Sequence, residues 1–370
     1  IQLNPAQSSQ LESAKAFLFN KIWIDICQLR CDEYSEDSRI PTIRVGSPLE
    51  DSVRSDITIN CLYFNINTKK VEDFCNGIQD LKNRMINTPI DPMISFKDDP
   101  LRILRCFRFS SRFGFTVNPN IISAATANLT ELKSKVTHPR IEMELHKALT
   151  GSPSFEYLRL CIESGIFNFV FDEFDEWSLD ANAVLDRVRI SSSRFTKEHA
   201  YSLSLACIYY QLYDLPLVSD PSKPSKKIPA LECAIVRRLH CKNDIYICSN
   251  KVIAGVKNLH EKLINNLNRV SVGLWLMDIG DFWPLSRALC FTEDDLHFFD
   301  EKLKPFIEAE KLDGIWKMKP LINGKDLAKV HNVKPGPILT QLTKELIEWQ
   351  LANPNGTADD YKNYVLTSKK

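Results

Sequence analysis

The chain predicts an α+β fold, with a small mixed β head at the N-terminus followed by a long all-α neck, body and tail. Three observations carry this. Strand-like segments gather in the first 80 or so of the 370 residues. From about residue 80 onward the apolar spacing turns helical and stays so. Proline, aspartate, serine or threonine stands before several of the helical segments, as helix starts require.

In order, residues 21–30, 42–45, 56–66 and 70–74 alternate or are β-rich, with polar connections between them. Trp23, Ile24, Ile26, Ile57, Ile59, Leu62 and Phe64 are the residues expected to face a core. Gly77 allows a turn with positive φ, and Asp80 can cap the helix after it. That stretch reads equally as a mobile connector or as a plain strand–turn–helix. Helices are expected at 80–85, 100–113, 119–128, 139–149, 154–164, 181–191, 199–212, 230–239, 244–268, 269–279, 283–289, 293–311, 324–331, 335–352 and 357–367. Residues 215–229, with four prolines, three lysines and three serines, read as an exposed loop. The expected division is a head over 1–80, a neck over 81–170, a body over 171–310 and a tail over 311–370.

Apolar content of 44% and charged content of 25% are those of an ordinary water-exposed globular chain. A net charge of zero excludes a protein coated in basic charge but leaves room for one basic groove. Eleven cysteines without a CxxC pair fit reduced thiols. Cys233, His240, Cys241 and Cys248 come nearest to a metal cluster, but their spacing matches no zinc pattern. No apolar run of membrane-spanning length is present.

The segment Asp98–Phe109 (DDPLRILRCFRF) is the most telling. Asp99, Arg102, Arg105 and Arg108 fall three apart, and on a helix they wind along one stripe between apolar anchors. Taken by itself, an acid and an arginine three apart is usually an ion pair. Hydrogen-bond polarity offers another use. Cytosine and adenine each show an amino donor beside a ring-nitrogen acceptor, so a carboxylate next to a guanidinium can read both. Uracil and guanine present the reverse, at a cost of about 1–3 kcal/mol per lost charge-assisted bond. On a strand, Asp56, Thr58 and Asn60 would share one face. Such a row is either a solvated outer face or a ribose-binding edge that orders Arg54.

At these residues the chain resembles a family. Glu50–Asn65 resembles the RRDxTxNALxYN motif of class II tRNA nucleotidyltransferases, the CCA-adding enzymes, and Asp98–Phe109 resembles their (E/D)DxxRxxRxxRF template helix. Thr137–Leu149 is similar to their next motif, with an ISxERxxxEL core. Residues 27–41 and 319–361 resemble segments of the eukaryotic branch. The resemblance implies that the head is part of a nucleotidyltransferase palm. It also implies template-independent addition of C, C and A to the tRNA 3′ end, with CTP and ATP as substrates and Mg²⁺ as the metal. By it, Asp99 and Arg102 read the base, Arg105 and Arg108 contact nucleotide or phosphate, and Arg54, Asp56 and Asn60 lie on the ribose side. Gly77 would sit on a flexible connector, and Arg140 and Glu144 would support the template helix. The tail would hold the tRNA acceptor arm by its backbone. No membrane and no obligate protein partner is implied. The compartments implied are the cytoplasm, with the nucleus and mitochondrion besides; a chain beginning with Ile shows no targeting segment.

Two departures stand out. The second arginine of the RRD motif is Ser55 here. The GGxVRD turn and DxD metal ligands of the family are absent, and the resemblance places them upstream of Ile1, so the chain is expected to be a fragment without its own metal site. Asp25 is left as an ancillary acid of such a site or as a strand acid facing solvent. A poly(A)-adding or C-/A-only enzyme, and a catalytically silent tRNA-binding homologue, are the alternatives.

Overall fold

The strand-forming residues of the head pair as hairpins. β1 (Gln2–Leu3), β2 (Ser13–Leu18) and β3 (Ile22–Cys27) form an antiparallel ribbon in which Phe17 faces Trp23 and Lys15 faces Asp25. β4 (Arg30–Glu33) pairs with β5 (Thr42–Val45), and β6 (Leu62–Asn65) with β7 (Lys70–Asp73). These observations come from a computed structural model that describes residues 2–3, 13–19, 21–33, 42–151, 154–171 and 178–368. The chain divides into two units, residues 1–185 with 237–241, and 186–236 with 242–370.

Two expectations for the head need correction. Trp23, Ile24, Ile26 and Phe64 are exposed rather than core residues. A ribbon buries a face only where a second layer covers it; Trp23 instead packs on Phe17 of the adjacent strand, ring centroids 4.8 Å apart. The predicted strand over 56–66 also begins late. Asp56 Oδ1 accepts from the Ile57 N–H at 3.0 Å and from Asn60 Nδ2 at 2.9 Å. These local bonds favour a turn over a ladder, and Thr58–Cys61 forms a 3₁₀ turn before β6. Asp56 and Thr58 are buried while Asn60 is exposed, so the three share no strand face.

The rest of the first unit is helical: α1 (Pro48–Val53), α2 (Gly77–Asn83), α3 (Pro92–Asp98), α4 (Leu101–Phe113), α5 (Pro119–Ala127), α6 (Leu129–Lys135), α7 (His138–Gly151), α8 (Ser154–Glu163) and α9 (Ile166–Phe171). A short parallel pair, β8 (Met85–Ile86) and β9 (Thr116–Val117), ties the end of α2 to the end of α4. Helices α3, α6 and α9 escape the sequence reading because six or seven residues hold too little periodicity to stand out. α3 nevertheless has a clear start, with Asp91 accepting from the Met93 N–H at 2.7 Å and Pro92 in the first turn.

α4 is the central helix. Ile103, Leu104, Cys106 and Phe107 are fully buried, and α3, α7, α8, β8 and β9 pack around it. Burial of each large side chain contributes about 1.5–3 kcal/mol. Gly114, at φ 64°, ends it by returning its N–H to the Ser110 carbonyl.

α10 (Ala181–Ser191) leads into the second unit. That unit contains α11 (Ala200–Ile208), α12 (Ala230–Glu232), α13 (Asn243–Asn258), α14 (Arg269–Ile279), α15 (Trp283–Ser286), α16 (Glu293–Phe298), α17 (Lys304–Ala309), α18 (Gly324–His331), α19 (Ile338–Ala352) and α20 (Ala358–Ser368). The expected loop over 215–229 is a hairpin, β10 (Val218–Asp220) with β11 (Lys223–Ile228). Asp220 makes its turn by accepting from the Ser222 N–H and hydroxyl. The core of the unit gathers around Trp275, fully buried among Leu259, Leu263, Val272, Phe299 and Leu303. Its indole N–H donates to the Gly255 carbonyl at 3.0 Å. A second cluster, Ile322, Leu327, Leu342, Leu346, Tyr361 and Val365, joins α18, α19 and α20.

Candidate nucleotide-reading site

The arginine stripe on α4 faces the Arg54–Asn60 turn on one side and α7 on the other. Asp99 lies outside the helix: it caps the end of α3 with an extended backbone, φ −140°. This corrects the expectation of four residues on one helical stripe. Pro100 cannot donate a backbone hydrogen bond, and α4 begins only at Leu101. Asp99 Oδ1 accepts from the Leu101 N–H at 3.2 Å, and Oδ2 from Arg140 Nη2 at 2.9 Å. Its side chain keeps 29% of its surface exposed.

Arg102 is 7% exposed. Its Nη1 donates to the Ser95 hydroxyl at 3.0 Å, and its Nη2 to the Arg54 carbonyl at 2.7 Å. The guanidinium thus fastens α3 and α4 to the turn that follows α1. Arg105 reaches the same turn through its side chain: Nε and Nη2 both lie 2.7 Å from Asp56 Oδ2. Arg108 points the other way and donates to Glu144 Oε2 at 2.6 Å, with its guanidinium 4.2 Å over the Phe109 ring.

Glu144 is 2% exposed and serves three cations, with Lys147 at 3.0 Å and Arg105 at 3.6 Å joining Arg108. Burial pushes its carboxyl up, but the hydrogen bonds from Lys147 and Arg108 outweigh that and hold it below its usual range. Arg140 and Glu144 stand four apart on one face of α7, so a single turn of that helix grips both ends of the stripe.

Arg54 turns back to Asp51, with Nε at 2.8 Å and Nη2 at 2.6 Å. Asp51 was not singled out from sequence, yet it also accepts from the Tyr63 hydroxyl at 2.6 Å and the Arg30 N–H at 3.2 Å. Burial raises its carboxyl, and the Tyr63, Arg54 and Arg30 donors bring it below the ordinary value. The signal for it was the Asp–Arg spacing of three. Asp80 was expected only as a helix cap. It is buried, and it accepts from the Thr58 hydroxyl at 2.6 Å and from Asn87 Nδ2 at 2.7 Å. This group lines an open polar cleft of about 320 Å³ beside the connector, where Asn118 Nδ2 donates to Asn87 Oδ1 at 2.7 Å. Gly77 lies where any Cβ would run into the Thr58 carbonyl oxygen, so the connector is packed tightly onto the head.

The structure does not bring Asp25 to this site. Its carboxylate is 78% exposed on β3 and pairs with Lys15 at 3.5 Å. Among the described residues no group of three His, Cys, Asp or Glu side chains can hold a metal ion. The described residues therefore offer no three-ligand site for the Mg²⁺ that the resemblance implies.

Residues 6–87 match the family model described as "Poly A polymerase head domain" and residues 114–178 the one described as "Probable RNA and SrmB- binding site of polymerase A". The tRNA nucleotidyltransferase cca2 of Schizosaccharomyces pombe is 30% identical over 396 residues, covering 100% of this chain and 81% of its own length. The mitochondrial CCA tRNA nucleotidyltransferase of Candida glabrata is 28% identical, over 99% of this chain and 79% of its own. The chain belongs to the tRNA nucleotidyltransferase family, the CCA-adding enzymes. Solved structures agree on the fold: the Bacillus stearothermophilus CCA-adding enzyme in complex with CTP superposes with a TM-score of 0.68 at 16% identity, over 98% of this chain and 83% of that one. The Thermotoga maritima enzyme complexed with tRNA gives 0.60 at 17% identity, over 98% and 80%.

Proposed function

We propose that this protein takes part in tRNA 3′-end maturation by adding C, C and A from CTP and ATP, with α4 and Asp99 selecting the nucleotide. The observation that carries this reading is the partly exposed Asp99 carboxylate at the head of a helix whose arginines reach both the Arg54–Asn60 turn and α7. Relatives and fold neighbours support it, since their names and titles specify CCA addition, and complexes with CTP, ATP and tRNA occur among them.

In this reading Asp99 accepts a hydrogen bond from the amino group of cytosine or adenine, and a guanidinium donates to the neighbouring ring nitrogen. Arg102 takes that part by exchanging its bonds to Ser95 and Arg54, and Arg140 leaves Asp99 as the base arrives. Nucleotide binding and movement of the α3–α4 junction are then one event. Arg105 and Arg108 hold α4 in place and supply positive potential to the phosphates, while Asp56 and Asn60 order the ribose side. The tail would contact the acceptor arm of the tRNA by its backbone. Mg²⁺ would be the reaction's metal, and the described residues offer no three-ligand site for it. The cytoplasm, with the nucleus and mitochondrion besides, is the proposed location; among the described residues no helix is long and apolar enough to cross a membrane.

The test is incubation of the full-length protein with a tRNA ending at its discriminator base and labelled CTP or ATP. Two C additions followed by one A support the proposal. Long A tails, or single-nucleotide addition only, point to the poly(A)- or C-/A-only alternative. Salt-dependent tRNA binding without incorporation points to a silent homologue.

A further inference from the structure

The far end of the second unit holds a cleft of about 640 Å³ between α19 and α20. Glu345, Glu348 and Trp349 line it from α19, Tyr361 and Tyr364 from α20, and His331 closes it from the end of α18. Tyr361 is the floor, 1% exposed, its hydroxyl 3.0 Å from His331 Nε2. Trp349 meets it edge-on, centroids 5.3 Å apart at 68°. Tyr364, 51% exposed, completes the set at 6.2 Å from Tyr361 and 6.3 Å from Trp349. Tyr361 belongs to the core that these helices share with Leu342, Leu346 and Val365, all 7% exposed or less, and Trp349 packs against it. Tyr364 is the exposed ring, and the partly buried Trp349 lines the cleft beside it.

Two kinds of ligand stack on such a surface, a nucleobase or a cation. The lining decides between them. It carries two carboxylates and neither lysine nor arginine, and Lys344 reaches Glu348 only at 4.0 Å. A base arrives with phosphates, which two carboxylates repel. A guanidinium is planar, stacks on tryptophan and tyrosine, and donates in a fork to carboxylates. We propose that this cleft is a docking site for an arginine side chain in a basic, extended segment of a protein partner. It is a second binding function, separate from nucleotide reading.

The probe is the peptide acetyl-Gly-Arg-Gly-Arg-Gly-amide, titrated calorimetrically into the full chain, with the lysine analogue and a uridine trinucleotide alongside. The expected result is saturable binding at one site, at least 5-fold tighter for arginine than for lysine. Tyr364→Leu should weaken it about 10-fold, and the double variant Glu345→Gln with Glu348→Gln by a similar factor. Tyr364 is half exposed, so the first variant retains its fold, checked by circular dichroism. Absence of peptide binding, binding that survives Tyr364→Leu, or tighter binding of the trinucleotide overturns the proposal, and none of these results depends on nucleotide addition.

Discussion

Arg102 donates to the main-chain carbonyl of Arg54 at 2.7 Å, across 48 positions of sequence. A guanidinium assigned by its motif to a base is thus bound, in this state, to the backbone of the turn that leads to Asp56. A second cation, Arg140, occupies the carboxylate that would be its partner in base reading.

Nucleotide choice depends on that carboxylate. Asp99→Ala is expected to reduce discrimination of CTP and ATP against UTP and GTP by about 10-fold or more, the loss of one charge-assisted bond of about 1.5–3 kcal/mol. tRNA affinity should stay within about 2-fold. Competitive incorporation from mixed nucleotides measures it, and unchanged selectivity would remove Asp99 from the reading role.

Arg140 competes with the base for Asp99. Arg140→Ala, at a position 44% exposed, should lower KM for both nucleotides if it acts only as a competitor. A fall in kcat with unchanged KM would instead make it a support of the α3–α4 junction. Steady-state kinetics with each nucleotide separate the two.

Glu144 is a buried anion with three cations around it. Glu144→Ala leaves Arg108 buried without its partner and should destabilise the first unit by about 3–5 kcal/mol. Replacing both residues, Glu144→Leu with Arg108→Met, should recover much of that loss. Urea titration followed by circular dichroism reads both; equal destabilisation by the single and double variants would show that the pair does not act as one.

Acid should undo the same contacts. The folded-state carboxyls of Glu144 and Asp51 lie below their ordinary values of 4.5 and 3.8. Their contribution to stability is therefore complete above those ordinary values and is lost as pH falls through the lower folded ones. Melting temperature should fall steadily below about pH 4.5, and less steeply in Glu144→Gln.

Gly77→Ala tests the connector. Its methyl group would collide with the Thr58 carbonyl, a backbone group that cannot swing aside, so relief requires movement of the turn. A loss of about 1–3 kcal/mol is expected, with nucleotide addition falling further than stability accounts for. A neutral substitution would mean that the connector rests off the head during catalysis.

Much of this was legible in the chain. The switch from strand to helix near residue 80 and the long helices show in spacing alone, because each buries one face over several turns. The three arginines of α4 were also recognisable, but their partners were not. Glu144 lies 36 positions from Arg108, and Asp56 lies 49 from Arg105. No local pattern encodes which acid a given arginine will meet. The turn at Asp56–Asn60 was misread for a related reason: an apolar–polar alternation fits a strand, but a side chain that bonds the next backbone N–H and a residue four further on bends the chain before a ladder can form.

The division of labour along α4 also sets what evolution and genetics can do with it. Arg102, Arg105 and Arg108 bind other parts of the protein, so changes at these positions would surface as low abundance before any altered specificity could be selected. Asp99 and Arg140 pair chiefly with each other, so either can vary without leaving a buried charge unpartnered. In a selection for new nucleotide preferences, surviving alleles should therefore gather at residues 99 and 140, while the arginine stripe appears among the temperature-sensitive ones.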